Sequence, residues 1–233
     1  MKAIILSAGY GKRLNPLTLK QPKPLLKIGN DTLLSNTIKF LKKFGVEEVI
    51  INVHYLADQI INYLKENKFD LPITTIKEED RILDTGGGVL NAISFFSNKP
   101  FIIINPDTIW KDEYLNELML MEKMFSSNEK CKCSMLLVNK KKSFDKNIKG
   151  DFNLTNNIIN RDKNLNLKYI YTGLQIIKPG VFMNLKIEPF SINKIWDNLI
   201  KKNELYGMDC NIDFLHISTL DIYRNLQKKF FKY

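Results

Sequence analysis

The sequence contains no long apolar run. None of its hydrophobic stretches approaches the roughly 18 residues that a membrane-spanning helix needs. The first residues, MKAIILS, lead directly into a strand-like pattern, whereas a secretory leader would show a charged segment followed by an apolar one. We therefore expect a cytoplasmic protein that does not bind a membrane.

Cysteine is also scarce. The three cysteines, Cys131, Cys133 and Cys210, are an odd number, and the first two form a C-x-C pair that an alternating strand would point to one side. No matching pair of His or Cys accompanies them, as a zinc site would require. We predict reduced thiols with a structural role.

Acidic residues are fewer than basic residues, but the type and distribution of the basic residues limit what the net positive charge indicates about binding partners. The sequence has 35 basic and 25 acidic residues, and only four of the basic residues are arginines. The lysines are spread along amphipathic segments such as IKFLKKFG, as on solvated helix faces. No helix-turn-helix, zinc-finger or aromatic–basic RNA motif is present, so we expect no nucleic-acid partner. The excess still favours small polyanionic substrates.

Short apolar runs alternate with segments of helical periodicity along most of the chain. KAIILS and EEVIINV have the composition of buried parallel strands, and the residues between them repeat leucine and isoleucine at helical spacing. The pattern predicts helices over 31–45, 57–66, 88–96, 112–125, 191–202 and 218–230, and strands over 71–76, 100–105, 133–138, 169–177 and a pair within 205–217. This alternation predicts an α/β protein, a three-layer α/β/α sandwich with a mixed, mainly parallel sheet. The polar residues 139–164 are predicted to form a hairpin or flap over the sheet.

The loop after the first predicted strand is SAGYGKRLNPLT, at the sheet edge where open α/β folds bind ligands. Gly9 and Gly11 would let backbone N–H groups approach an anion, although a tight strand-to-helix turn would explain the same fragment. The glycine spacing matches neither the dinucleotide fingerprint nor the triphosphate P-loop. Arg13 follows two residues after Gly11, and Lys23 lies between two prolines, so a stiffened loop would hold two cations.

The segment GYGKRLNPLTLKQPKPL resembles the signature of the sugar-1-phosphate nucleotidylyltransferases, G-x-G-x-R-[LM]-x-P-L-T followed by P-K-P. LDTGGGVLNA, IIINPDTIW and FSINKIWDNLIKKNELYG resemble further segments of that family, so the resemblance covers nearly the whole chain. It is nearest to short bacterial N-acetylmuramate α-1-phosphate uridylyltransferases and mannose-1-phosphate guanylyltransferase-like proteins. It implies a Rossmann-like nucleotide-diphospho-sugar transferase fold and an enzyme of cell-envelope polysaccharide synthesis. Such an enzyme joins an NTP to a sugar-1-phosphate and releases pyrophosphate, and we expect UTP to be preferred to GTP.

The resemblance also implies roles for individual residues. Arg13, Lys23 and Asp107 would be catalytic, and Asp107, which closes the apolar strand FIIINPD, would bind Mg²⁺. The nucleotide would be bound by Leu6, Ala8, Gly9, Gly11, Lys12, Arg13, Thr85, Gly86 and Gly87, and the sugar phosphate by Lys23, Thr172, Gly173 and Asn193. We expect one domain over residues 1–233, with a nucleotide-binding half of 1–138 and a flap and sugar-side half of 139–233, as a monomer or homodimer.

One position departs from the family pattern. The family places a second metal-binding aspartate in a W-x-D-[VI]-G-T segment, and the gapless match FLHIST puts His216 there. Imidazole is a poor ligand for Mg²⁺. Three interpretations stay open: Asp107 and the phosphates hold the ion alone, His216 contacts phosphate directly, or the protein is a catalytically weak or silent paralogue that binds nucleotide or sugar phosphate.

Overall fold

The computed structural model describes residues 1–162 and 164–230, and these residues form eleven strands and six α-helices. The strands are β1 (Ala3–Leu6), β2 (Lys27–Ile28), β3 (Asp31–Thr32), β4 (Val49–Val53), β5 (Ile73–Lys77), β6 (Phe101–Ile104), β7 (Cys133–Asn139), β8 (Asn153–Thr155), β9 (Ile158–Asn160), β10 (Tyr169–Ile177) and β11 (Leu205–Cys210). The helices are α1 (Leu33–Phe44), α2 (Ala57–Glu66), α3 (Asp84–Asn91), α4 (Glu113–Ser127), α5 (Asn193–Lys201) and α6 (Leu220–Phe230).

Nine of the strands form one sheet in the order β5-β4-β1-β6-β10-β7-β11-β9-β8. Strands β5, β4, β1 and β6 run parallel to one another, and β7 runs parallel to β11. Strand β10 is antiparallel to both β6 and β7, between which it lies. The predicted α/β class with a mixed, mainly parallel sheet is confirmed. The remaining strands, β2 and β3, pair with each other.

Alternate residues of the strands pack into two cores, one on each face of the sheet. On β1, Ile5 belongs to the core that includes Ile38 of α1, whereas Ile4 belongs to the opposite core with Val89 of α3 and Trp196 of α5. The side-chain period of two along a strand therefore separates the two helix layers. This arrangement is the predicted three-layer sandwich.

Helix α1 shows why one predicted helix of the first half matches the structure to within two residues at each end. Thr32 precedes the helix, its hydroxyl accepts a hydrogen bond from Ser35 N at 3.0 Å, and Thr32 N donates to Ser35 Oγ at 2.9 Å. This reciprocal capping box satisfies N–H groups that the helix leaves unpaired at its start. The helix ends at Phe44 and is followed by Gly45, whose φ of 91° is the left-handed conformation that glycine adopts without a steric penalty.

The helix predicted over 88–96 is wrong in its bounds. Helix α3 begins at Asp84 and ends at Asn91, and a 3₁₀ turn follows at Ile93–Phe96. The early start has a tertiary cause, because the N–H groups of Gly86 and Gly87 donate to the carbonyl oxygen of Phe190. This distant carbonyl satisfies donors at the helix start, and it outweighs the low helix propensity of the glycine run.

Two predictions for the second half are also corrected. Strands β8 and β9 form the predicted hairpin, but β9 pairs with β11, so the hairpin extends the edge of the sheet and does not cover its face. Residue 163 of this predicted flap lies outside the described residues. Of the predicted strand pair within 205–217 only β11 is a strand; the residues after it make isolated bridges, His216 with Thr108 and Phe214 with Ser143.

The three cysteines are buried and form no disulfide. Burial raises the pKa of Cys131 and of Cys210 to about 12, so both thiols are protonated at neutral pH. No helix in the described part of the chain is both long and apolar enough to cross a membrane.

Candidate active site

A cavity of about 500 Å³ opens at the carboxyl edge of the sheet, between the loops that follow β1 and β6 and the start of α3. Parallel strands bring their ends together at this edge, where open α/β sheets bind ligands. Nine of the predicted site residues line the cavity: Leu6, Ala8, Gly9, Gly11, Lys12, Arg13, Lys23, Thr85 and Asp107. Gly86, Gly87, Thr172, Gly173, Asn193 and His216 do not line it.

The loop after β1 is held in shape by a glycine and a buried threonine. Gly11 has φ +64°, and a Cβ at this position would lie 3.0 Å from Thr18 Cγ2 and 3.1 Å from Lys23 Cβ. The hydroxyl of Thr18 donates to the carbonyl of Gly11 at 3.0 Å, and Tyr55 donates to the carbonyl of Thr18 at 2.8 Å. Only glycine combines the left-handed backbone with this close packing. These contacts hold Gly11, at the start of the loop, close to Thr18 and Lys23 further along it.

Arg13 presents an uncompensated positive charge to the cavity. Its side chain is exposed and forms no hydrogen bond or ion pair with the other described residues. Lys12 beside it points its ammonium over the ring of Tyr10, 5.2 Å from the ring centroid. A guanidinium without a protein partner has its full fork of donors available for phosphate oxygens.

Lys23 and Asp107 form an ion pair at the inner end of the cavity. Lys23 Nζ lies 2.6 Å from Asp107 Oδ2, and their side chains are only 13% and 19% exposed. His216 Nε2 lies 3.2 Å from the same carboxylate oxygen. Burial by itself would raise the pKa of Asp107, but the charges and hydrogen bonds of Lys23 and His216 outweigh it and hold the pKa well below the usual range. Asp107 is therefore an anion at neutral pH.

Several polar atoms around this pair are buried without a hydrogen-bond partner among the described residues. They are Oδ1 of Asp107, Nδ1 of His216 and the hydroxyl of Tyr171, with the hydroxyl of Ser7 nearby on the cavity wall. Buried polar groups in folded proteins nearly always have partners. Two of these atoms, Asp107 Oδ1 and the hydroxyl of Ser7, belong to residues that line the cavity, where a ligand can supply the partner.

The residues present fit a magnesium ion held by one protein carboxylate. Mg²⁺ takes oxygen ligands and is usually bound by one or two carboxylates together with substrate phosphates. Asp107 Oδ1 is the one unpaired carboxylate oxygen at the inner end of the cavity among residues 1–162 and 164–230. His216 adds no hard ligand, and no group of three or more His, Cys, Asp or Glu in those ranges could hold a metal by itself.

The predicted sugar-side residues are arranged around β10. Thr172 is 1% exposed, and its hydroxyl donates to the carbonyl of Leu136 at 2.8 Å, so it supports the sheet. Gly173 has φ +93°, and a Cβ there would lie 2.9 Å from Asn105 Cβ. The carbonyl of Gly173 accepts from Asn105 N, which sets the backbone that leads to Asp107. Their contact with a sugar phosphate remains a prediction.

Asn193 lies at the start of α5 and is joined to an arginine that the motifs did not indicate. Arg161 Nη2 donates to Asn193 Oδ1 at 2.8 Å, and Nη1 lies 3.3 Å from Asp197. The guanidinium also stacks over the ring of Phe152, 4.5 Å from the ring centroid. The available sequence signal was the rarity of arginine, since Arg161 is one of four in the chain.

The sequence motifs also did not indicate a buried carboxylate that is hydrogen-bonded to the cavity-lining residue Asn52. Glu78 follows β5 and is 2% exposed; Oε1 accepts from Asn52 Nδ2 at 2.8 Å and Oε2 from Leu83 N at 2.7 Å. Asn52 in turn accepts from Ser7 N at 2.9 Å. This network joins the loop after β1 to the segment before α3, the two walls of the cavity.

Comparison with known proteins identifies the family. Residues 2–144 match the family described as Nucleotidyl transferase. The chain belongs to this family. The resemblance inferred from the loop motifs is confirmed, and this nucleotidyl transferase is an enzyme of the nucleotidyltransferase class.

Two curated relatives show how far the similarity of this nucleotidyl transferase extends. It is 27% identical over 220 residues to an N-acetylmuramate alpha-1-phosphate uridylyltransferase of Caulobacter vibrioides, covering 92% of this chain and 90% of that protein. It is 29% identical over 218 residues to a probable mannose-1-phosphate guanylyltransferase of Oryza sativa subsp. japonica, covering 89% of this chain but 58% of that protein. The chain thus spans little more than half of the guanylyltransferase relative.

Solved structures support the fold of the nucleotidyl transferase. A UDP-glucose pyrophosphorylase from Acinetobacter baumanii superposes with a TM-score of 0.79 at 14% identity, covering 97% of this chain and 91% of that one. HddC from Yersinia pseudotuberculosis superposes with a TM-score of 0.76 at 22% identity, covering 98% of this chain and 99% of that one. At these identities the similarity shows the fold.

Proposed function

We propose that this nucleotidyl transferase joins a nucleoside triphosphate to a sugar-1-phosphate, giving an NDP-sugar and pyrophosphate. The observation that carries the proposal is one cavity lined by Arg13, which has no partner within residues 1–162 and 164–230, and by the Lys23–Asp107 pair. Two cations at the end of a glycine loop suit a reaction between two polyanions. The names of the two curated relatives, an N-acetylmuramate alpha-1-phosphate uridylyltransferase and a probable mannose-1-phosphate guanylyltransferase, support this substrate class.

The reaction balances without a catalytic base from the protein. A phosphate oxygen of the sugar-1-phosphate attacks the α-phosphorus of the NTP and forms a new P–O bond. The bond from the α-phosphorus to the oxygen that bridges it to the β-phosphate breaks, and its electron pair leaves with pyrophosphate. A phosphomonoester has a second pKa of about 6, so the attacking group is already mostly dianionic at neutral pH.

Repulsion between the substrates is the main barrier that the site must lower. Each unscreened pair of unit charges about 4 Å apart costs about 4 kcal/mol at an effective dielectric constant of about 20. Arg13 would hold the leaving β- and γ-phosphates over the backbone N–H groups of Gly9 and Gly11. Lys23 would neutralise the α-phosphate and the incoming sugar phosphate, which compete with Asp107 for its ammonium group.

We include Mg²⁺ as the proposed cofactor, with Asp107 Oδ1 as its protein ligand. When bound, the ion supplies positive charge that neutralises phosphate oxygens during transfer. Lys23 keeps the other carboxylate oxygen occupied at 2.6 Å, so Asp107 offers the ion one oxygen. The chain's own contribution is to fix that carboxylate at the end of β6.

For the nucleobase we propose UTP over GTP. The uridylyltransferase relative is matched over 90% of its length, whereas the guanylyltransferase relative is matched over 58%. We also propose that residues 1–233 act as one catalytic unit, because the nine-stranded sheet includes strands from both of the predicted halves.

A second candidate, a silent binding protein for nucleotide or sugar phosphate, is favoured by one observation. Both Lys23 and His216 lie against Asp107 Oδ2, where a second metal-binding carboxylate was expected from the family pattern. The test is pyrophosphate release from each of four NTPs with N-acetylmuramic acid α-1-phosphate, mannose-1-phosphate and glucose-1-phosphate, in Mg²⁺. Release that depends on both substrates supports the enzyme. Saturable binding with no release from any pair supports the silent protein.

A further inference from the structure

Residues 83–87, which include the start of α3 and contribute to the cavity wall, are hydrogen-bonded to residues 188–192. Phe190 N donates to the carbonyl of Leu83 at 3.1 Å, and Gly86 N and Gly87 N donate to the carbonyl of Phe190 at 2.9 and 3.2 Å. Ile192 N donates to Thr85 Oγ1 at 2.9 Å. We call residues 83–87 and 188–192, joined by these bonds, the brace.

The run of glycines permits the brace. A Cβ on Gly86 would lie 2.2 Å from Cε2 of Phe190, and a Cβ on Gly87 would lie 2.2 Å from the carbonyl oxygen of Glu188. These separations are far below any van der Waals contact, so alanine at either position would push the second segment away. The glycines are therefore explained by contact with residues 188–190, and their N–H groups are already used within the protein.

The brace leads directly into α5, which begins at the predicted sugar-phosphate residue Asn193. Ile192 immediately precedes α5, whose first residue, Asn193, accepts a hydrogen bond from Arg161. About one turn further along α5, Trp196 packs edge-on against Tyr171, 5.0 Å between ring centroids. The residue that precedes α5 is thus hydrogen-bonded to the hydroxyl of Thr85, which itself lines the cavity.

We infer that Thr85 is a positioning residue for the sugar-phosphate side of the site, although its side chain lies on the nucleotide wall. Its Oγ1 fixes the start of α5 through Ile192 N, so that Asn193 and Arg161 keep their place when the nucleotide cavity is filled. The inference rests on the proposed function. It separates two roles for Thr85, because a simple nucleotide contact would act on the NTP, whereas the brace acts on the sugar phosphate.

The test compares Thr85→Val, which keeps the shape of the side chain but removes the acceptor, with Thr85→Ser, which keeps the hydroxyl. We expect Thr85→Val to raise the KM for the sugar-1-phosphate about 5-fold, the factor for one lost hydrogen bond, and the KM for the NTP less than about 2-fold. Thr85→Ser should resemble the wild type in both. An effect confined to the NTP, equal effects on both substrates, or equal behaviour of the two variants would overturn the inference.

Equilibrium binding keeps this test independent of turnover. Calorimetric titration of the intact wild type and both variants with N-acetylmuramic acid α-1-phosphate and with mannose-1-phosphate should show the same loss of affinity in Thr85→Val alone. If the wild type binds a sugar phosphate but releases no pyrophosphate with any NTP, the proposed function fails while the brace is still judged by these affinities. Unchanged affinity in Thr85→Val overturns the brace while leaving the activity intact.

A second pair of variants tests the packing. Gly86→Ala should weaken sugar-phosphate binding by about 5-fold or more, because the new methyl group displaces the Phe190 ring. Adding Phe190→Ala removes the ring atoms that the methyl group meets and should restore part of the lost affinity. A double variant as weak as or weaker than Gly86→Ala, or a Gly86→Ala protein with normal sugar-phosphate affinity, would contradict the brace.

Discussion

Lys23 Nζ and Asp107 Oδ2 are 2.6 Å apart although 84 residues separate them in the sequence. The pair joins the proline-framed end of the glycine loop to the end of β6, and both side chains are largely buried. Removing one partner of a buried ion pair strongly destabilises the fold, because the remaining charge loses its compensation. At this pair, substrate phosphate would compete for the charge of Lys23 and a metal ion for the charge of Asp107. A substitution at either residue should therefore change both the stability of the fold and the activity.

We predict that Arg13→Ala lowers turnover by at least about 10²-fold, the scale for losing one preorganised electrostatic contact in the transition state. Arg13 has no partner in the part of the chain that the structure describes, so its loss should leave the free energy of unfolding nearly unchanged. The measurement is kcat from pyrophosphate release, with thermal unfolding alongside. Arg224→Ala is the matched control, since Arg224 is an exposed arginine on α6 that does not line the cavity. Normal kcat in Arg13→Ala would refute the role.

We predict that Asp107→Asn also lowers kcat by at least about 10²-fold, because the amide neither binds Mg²⁺ as a carboxylate does nor balances Lys23. Binding of Mn²⁺, followed by electron paramagnetic resonance in the presence of NTP, should weaken in parallel. Asp112→Asn is the control, because Asp112 pairs with Lys43 on an exposed surface. Retained metal binding by Asp107→Asn would argue against Asp107 as the ligand.

His216→Asp is expected to lower the Mg²⁺ concentration that gives half-maximal activity. The change places a second carboxylate beside Asp107, where His216 Nε2 now lies 3.2 Å from Oδ2. His216→Asn, which removes the imidazole without adding a charge, is the matched control. The idea is sunk if both variants show the same Mg²⁺ dependence.

Removing the Glu78 carboxylate should destabilise the fold. Glu78→Ala leaves the N–H of Leu83 and the amide of Asn52 buried without their acceptor, at a cost of about 1–3 kcal/mol in the free energy of unfolding. Urea denaturation measures this cost. Glu79→Ala is the neighbouring control, since Glu79 is 70% exposed and forms an ion pair with Lys77 at the surface. Equal stability of the two variants would mean that the Glu78 network contributes little.

Because the thiol of Cys210 is buried, we predict that the fold loses stability at alkaline pH. Burial raises the pKa of Cys210 from 9.0 to about 12. The unfolded chain therefore releases this proton at lower pH than the folded chain, and the contribution to stability is present below pH 9.0 and lost as the pH rises toward about 12. Urea denaturation under reducing conditions at about pH 8 and about pH 10 should show a smaller decrease for Cys210→Ala than for the wild type. Identical decreases would contradict the shift.

The sequence predicts those parts of the site that depend on neighbouring residues. Gly11 and the prolines around Lys23 restrict a single loop, and Asp107 follows a run of apolar residues, so their place at the sheet edge can be read from local pattern. The bounds of α1 can also be predicted from local pattern, because its capping residues Thr32, Ser35 and Gly45 lie within the helix or next to it.

Contacts between distant segments could not be predicted in this way. The brace joins residues about a hundred positions apart through a backbone carbonyl, and a backbone carbonyl is present at every residue. Glu78 lies in the charged run KEED, which by itself resembles a solvated turn, and its burial depends on α3 and β4 packing against it. The start of α3 was missed for the same reason, because its cap comes from Phe190.

The antiparallel strand β10 lies between β6 and β7, although it follows both in the chain. A fragment ending at residue 138 would therefore contain two strands that never touch each other in the intact protein, each with an open edge where β10 belongs. Such a fragment would have to find another strand, and other copies of itself are the nearest source. Residues 1–138 produced separately should therefore aggregate. An insertion that is meant to leave the fold intact is best placed in the turn between β8 and β9, at the edge of the sheet.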